Sequence, residues 1–167
     1  MSLVLASDGL AKHPDGIISK PCIALLQTVA TCVTTLDAAT YAVITDADAW
    51  GTLFQQQTSA QGGFTIGLVA GTVTVPRTMT VRVSYNLSGI TVINAATRQF
   101  AVFGGAAGTT NKGGDSFGTD ITSGPTTYSG STLFTCAAGD VISLKGIGSS
   151  ATFTMAALGG TLLIEEV

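Results

Sequence analysis

Charge is what this sequence has least of. Only 10% of its 167 residues are Asp, Glu, Lys or Arg, against roughly a quarter in an ordinary soluble domain. A lone surface so poor in charge is prone to association, so much of it is expected to be covered by partners. The seven basic residues are scattered: Lys12, Lys20, Arg77, Arg82, Arg98, Lys112 and Lys145. No basic stripe exists to neutralise phosphates, which argues against a nucleic-acid partner. Net charge is −3.

Histidine is almost missing. His13 is the only one, and it sits in the turn "HPDG". Without a second histidine, a Ser or Cys nucleophile lacks its usual base. Glu165 and Glu166 are adjacent in a strand-like segment, so they point to opposite faces and cannot act as a close dyad. No catalytic residues and no cofactor are expected. Cysteine is scarce and uneven: Cys22, Cys32 and Cys136, with no CxxC. An odd, widely spaced set argues against a disulfide framework or zinc knuckle. It reads as small buried side chains, with a Cys22–Cys32 bridge left open. No unbroken apolar run approaches bilayer length, so no membrane partner is expected. "MSLVLASDGLAKHPDG" lacks a basic start and a long apolar stretch, so synthesis in the cytosol is expected.

What the sequence has is alternation. In "GGFTIGLVAGTVTVPRTMTVRVSYNLSG" (62–89), Phe64, Ile66 and Leu68 alternate with small or polar residues. Val73 and Val75 do the same, as do Met79, Val81, Val83 and Tyr85 against Thr80, Arg82 and Ser84. A period of two gives each strand one buried and one solvated face. Pro76 marks a kink, bulge or edge position. "TRQFAVFGG" (97–105) reads as another strand. So do "STLFTC" (131–136), "VISLK" (141–145), "ATFTMAAL" (151–158) and "TLLIEEV" (161–167), joined by tight turns. "CIALLQTVATCVTTL" (22–36) is rich in Val and Thr. For 37–58 the Ala content permits a helix capped by Asp46 or Asp48, but "YAVIT" favours strand, turn, strand. Short strands at near-regular spacing imply an all-β antiparallel sandwich or barrel.

Two regions stand apart. Residues 1–21 contain Gly9, "HPDG" and Pro21 among apolar scraps, and read as an arm that is either disordered or pinned by a neighbour. The stretch "GGAAGTTNKGGDSFGTDITSGPT" (104–126) is polar and Gly-rich and reads as a long loop, the place where a ligand would be met. Its Asp115, Ser116 and Asp120 have chemistry that suits calcium, but no full calcium motif is present; no metal is assigned. Trp50 and Tyr128 are candidates for stacking on a sugar, or for plugging a sandwich edge or subunit boundary.

From "GGFTI" onward the pattern resembles the C1q/TNF-like jelly-roll family. "GTVTVPRTMTVRVSYNLSG" is similar to the family's strand pair ending in an aromatic residue, and "RQFAVFGG" to its next strand. "YSGSTLFTCAAGDVISLKG" is similar to its paired strands around a Gly-Asp turn, and "FTMAALGGTLLIEEV" to its closing strand. The resemblance implies an antiparallel jelly-roll β-sandwich over residues 22–167, assembled as a tight homotrimer, with 1–21 as an N-terminal arm. It also implies the setting known for the family's bacteriophage members. That setting is a structural virion protein on the outer capsid surface, a decoration or cement protein whose partners are itself and the major capsid protein. Leu3, Leu5, Leu10 and His13 in the arm are then the candidate capsid-binding residues. The alternative is the receptor- or glycan-binding tip of a phage head or tail fibre. A fibre protein usually carries a long shaft or coiled coil, and no heptads occur here.

Overall fold

The structure is a computed structural model. It describes residues 4–5, 11–12, 18–19, 22–27, 31–36, 38–44, 54–56, 63–67, 71–91, 97–119, 126–148, 152–156 and 160–167. Every regular element among them is a strand. Three short ones, β1 (Val4–Leu5), β2 (Ala11–Lys12) and β3 (Ile18–Ser19), form a small antiparallel sheet of their own. The other thirteen are β4 (Cys22–Gln27), β5 (Thr31–Thr35), β6 (Ala42–Val43), β7 (Phe54–Gln56), β8 (Thr65–Gly67), β9 (Thr72–Thr74), β10 (Met79–Thr91), β11 (Thr97–Gly104), β12 (Thr110–Thr119), β13 (Thr126–Cys136), β14 (Val141–Gly148), β15 (Thr152–Ala156) and β16 (Gly160–Glu166).

They build two sheets. In the first, β10 is central. It pairs with β13 on one edge and with β16, then β15, on the other; β4 and β5 lie beyond, and β7 pairs with β4. In the second, the order is β12-β11-β14-β9-β8, with β6 also on β14. All pairings are antiparallel. The chain crosses between sheets from β9 to β10, β10 to β11, β12 to β13, β13 to β14 and β14 to β15, which is jelly-roll connectivity. The β13–β14 crossing is a tight turn with Gly139 at φ 85°. The Asp140 carboxylate accepts the Ala137 amide at 2.9 Å, the Asx chemistry that makes Gly-Asp a turn former.

The alternation read from the sequence is the alternation that packs. Val81, Val83, Tyr85 and Leu87 of β10 face inward, with Leu162 and Ile164 of β16 and Ile23 of β4. Phe100 and Val102 of β11, Ile142 and Leu144 of β14, and Val73 and Val75 meet them from the other sheet. Arg82 and Asn86 are exposed. Pro76, also exposed, lies just past the end of β9, where no ladder bond is lost.

Two points join the layers. Tyr85 reaches across the sandwich, and its hydroxyl shares one proton between the carbonyls of Phe100 (3.0 Å) and Gly114 (2.8 Å). Burial, foremost, drives its pKa upward, so the donor stays protonated. Where β12 meets β13, a Cβ on Gly130 would lie 2.0 Å from the Gly114 carbonyl oxygen and 2.7 Å from the Tyr85 ring. Only glycine allows that approach.

The stretch 104–126 is not the long loop that its glycines suggest. Its residues 110–119 are β12, paired with β11 from Thr97↔Thr119 to Gly104↔Thr110, and 120–125 lie outside the described residues. The glycines serve irregularities within a strand. Register shifts twice between Phe100 and Phe103, and Gly113 and Gly114 there take φ of 90° and 69°. These are β-bulges, which need left-handed backbone that Gly supplies without strain. Within 37–58, β6 and β7 are strands; residues 45–53, with the candidate helix caps Asp46 and Asp48, lie outside the described residues.

Candidate functional sites: two outer faces

The outer face of β13–β10–β16 is flat and nearly self-satisfied. Its residues fall in rows set by register: Leu133–Arg82–Glu165, Ser131–Ser84–Leu163 and Ser129–Asn86–Thr161. Arg82 donates to Glu165 at 3.1 Å. Ser84 and Ser131 share a hydrogen bond of 2.9 Å, and Thr80 and Thr135 one of 3.2 Å. Among these polar pairs stand Leu133 (57% exposed), Leu163 (38%) and Val167 (47%). Apolar side chains left uncovered beside internally bonded polar ones suit contact with another protein surface. Glu166, one residue on from Glu165, bonds Arg77 at 2.6 Å instead. The two carboxylates thus serve different arginines.

The outer face of β12–β11–β14 is different. Gln99 lies directly opposite both Phe117 and Ile147, so the three share that face. Phe117 is 71% exposed, the most exposed of the large apolar side chains described. Asp115, two residues before Phe117, lies on the same exposed face, and the Gln99 amide donates to its Oδ1 at 2.9 Å. A depression of about 230 Å³ opens here, lined by Ala38, Gln99, Phe117 and Ile147 with Arg98 at its floor. Arg98 is wholly buried, flanked in register by Gly118 and Gly148, and is engaged within the protein. Farther along the face, the Tyr41 ring meets Phe103 at 4.9 Å, and Lys145 lies 4.7 Å above Phe103. Burial lowers the Lys145 pKa. Burial, with help from the charge of Asp115, raises that of Tyr41.

The residues singled out from sequence fall as follows. Asp115 and Ser116 are neighbours on β12; Asp115 is exposed on the outer face, while Ser116 lies opposite core-facing Phe100 and bonds Tyr85. They therefore do not converge as ligands, and Asp120 lies outside the described residues. Among the described residues no group of three His, Cys, Asp or Glu side chains gathers to hold a metal. Tyr128 is not in a loop: it sits in β13, is 2% exposed and packs edge-on against Phe100 at 4.8 Å. It is a core residue and cannot stack on a sugar. Trp50, Leu3, Leu10 and His13 lie outside the described residues; Leu5 is in β1, and its side chain lies outside them too. Cys136 is buried, which raises its thiol pKa to about 11. Cys22 and Cys32 lie in β4 and β5.

Phe117, Gln99, Leu133 and Leu163 did not stand out in the sequence. Phe117 carried a faint signal, an apolar ring isolated among Gly, Asp, Ser and Thr. The glycines around it pointed to a loop instead.

The arrangement of strands has clear counterparts. A TNF protein, Eiger from S. frugiperda, superposes with a TM-score of 0.63 at 9% identity, covering 89% of this chain and 92% of that one. Murine APRIL gives 0.62 at 13% identity, over 89% and 100% of the two chains. The globular domain of zebrafish complement 1qA gives 0.55 at 9% identity, over 89% and 98%. No family model matches the sequence, and no curated protein matches it. The fold is the C1q/TNF-like jelly roll.

Proposed function

We propose that this protein is a non-enzymatic structural protein of a bacteriophage virion. It trimerises through the β13–β10–β16 face, binds the outer capsid surface through the major capsid protein, and stabilises the shell as a decoration or cement protein. The observation that carries the assembly half is that face: Leu133, Leu163 and Val167 are uncovered on a sheet whose polar groups already bond one another. Three copies packed about an axis bury those side chains with little desolvation cost. The low charge count of the whole chain points the same way. The capsid half rests on the resemblance in sequence pattern to phage members of the family.

In this reading the segment 1–21 does the attaching, with Leu3, Leu5, Leu10 and His13 against the shell. An arm that buries three leucines gains apolar area at about 25 cal/mol per Å². Ordering it costs about 1–2 kcal/mol per residue, so a single arm binds weakly. Three arms per trimer compensate through effective concentration.

Light scattering coupled to size exclusion should give three times the 16.8 kDa chain. A chain lacking residues 1–21 should remain a folded trimer yet no longer co-sediment with purified capsids. A stable monomer at micromolar concentration contradicts the assembly half. Full occupancy of shells by the truncated trimer moves attachment to the β-domain. Binding to host cells but not to shells identifies the protein as a receptor- or glycan-binding fibre tip.

A further inference from the structure

The outer face of β12–β11–β14 is remote from the face assigned to assembly, since the sandwich core lies between them. Phe117 and Gln99 on this face are not part of the buried core cluster. Phe117 leaves 71% of its surface in water, a position that burial energetics alone would fill with a polar residue. It stands at the rim of a depression of about 230 Å³ whose wall includes Gln99. Gln99 donates to Asp115 Oδ1 at 2.9 Å on the same exposed face.

We propose that this depression is a carbohydrate subsite, in which Phe117 is the stacking platform and the Gln99–Asp115 pair hydrogen-bonds the hydroxyls of a neutral sugar ring. The chemistry of each part selects that ligand. A pyranose has an apolar face of C–H groups ringed by hydroxyls, and it needs an aromatic plane below and planar polar groups at the side. Phe117 supplies the plane. The amide–carboxylate hydrogen bond uses one oxygen of Asp115 and one proton of Gln99. The second carboxylate oxygen, the amide carbonyl and the other amide proton are left for hydroxyls that both donate and accept. Because the pair is already bonded, little side-chain freedom is lost on binding.

The competing ligands fit less well. A nucleotide base could stack on Phe117, but its phosphate would meet the Asp115 carboxylate, and the one cation in the depression, Arg98, is wholly buried and engaged. An acidic sugar meets the same obstacle. A drug-sized apolar molecule needs roughly 300–1,000 Å³; about 230 Å³ suits one ring of a longer saccharide. One ring held on an open face binds weakly. If the protein is trimeric, three such faces point outward and a polymeric glycan can engage several; the subsite itself does not depend on the trimer.

The test uses the full-length protein made with 4-fluorophenylalanine, with the Phe117 resonance assigned from Phe117→Tyr. It is titrated with neutral gluco-, galacto-, manno- and N-acetylglucosamine oligosaccharides, with an oligothymidylate and a sialylated oligosaccharide alongside. At least one neutral saccharide should shift the Phe117 signal saturably. Read by isothermal calorimetry, since the variants lack the labelled ring, Phe117→Ala should weaken that binding by about tenfold or more. Phe117→Trp should retain it, and Asp115→Asn should weaken it less than Phe117→Ala does. Because Phe117 is exposed, Phe117→Ala should leave the thermal midpoint unchanged, so lost binding is not lost folding. The proposal is overturned if no neutral saccharide moves the signal, if Phe117→Ala binds as wild type, or if the oligothymidylate or the sialylated glycan binds more tightly.

Discussion

On one outer face of the sandwich, β13 and β16 flank β10 without a break in register from Val81 to Leu87. On the other, β12 slips twice against β11 within four residues. Continuous register lines up side chains across strands, and the result is a flat ladder in which hydroxyl meets hydroxyl and Arg82 meets Glu165. The hollow lies beside those shifts, lined by Gln99 and Phe117 where β11 and β12 are still in register. Flatness suits a protein surface; a hollow suits a small rigid ligand. The two faces use the same kind of backbone, yet one is a flat ladder and the other holds a depression.

The strongest way to break that contrast is to remove the joint between the sheets. Gly130→Val should destabilise by more than about 4 kcal/mol, or prevent folding, because its side chain has no space beside the Gly114 carbonyl and the Tyr85 ring. Denaturant unfolding, or recovery of soluble protein, reads it. Val83→Ala, in the core behind the flat face, should cost about 1–3 kcal/mol. A cost near zero would mean the inward register of β10 is misjudged. Tyr85→Phe should cost about 1–2 kcal/mol, since two carbonyls lose a buried donor and the cavity is unchanged.

Leu133→Glu sharpens the contrast directly. It should dissociate the proposed trimer in light scattering while the far-ultraviolet dichroism stays that of a β protein. Phe117→Glu, at a more exposed position and with the same added charge, should leave the mass unchanged. Equal effects from both would erase the distinction between the faces. The smallest effect concerns Cys136. Its thiol, raised to about 11 by burial and to a lesser degree by the charge of Asp140, should react slowly with a thiol reagent at neutral pH until the protein is denatured. Its native pKa lies above its unfolded value, so the native chain holds a proton that the unfolded chain has lost. The contribution is therefore fully present below about pH 9 and disappears as pH rises toward about 11. Cys136→Ala should flatten that part of the stability curve.

The alternation of Val81, Val83 and Tyr85 against Arg82 and Ser84 was legible because side-chain direction in a strand depends on parity alone, a local property. The Gly-Asp turn was legible for the same reason: Asp140 bonds a backbone amide three residues away. Register was not legible. Phe117 and Gln99 are eighteen positions apart and become neighbours only because β12 pairs with β11 at one offset, which bulges then shift. Glycine in "TTNKGGDSFGT" signals freedom of φ, and that freedom is spent equally in loops and in bulged strands; only the partner strand decides which. Tyr128, read as a surface ring, is buried because β13 closes over β11 and β12, and Gly130 permits that closure only where the Gly114 carbonyl arrives. The sequence by itself determined which residues face inward along each strand, since parity is local. Tertiary structure alone decided which outward residues share a row, because pairing offsets between distant segments are set by the packing of the whole sandwich.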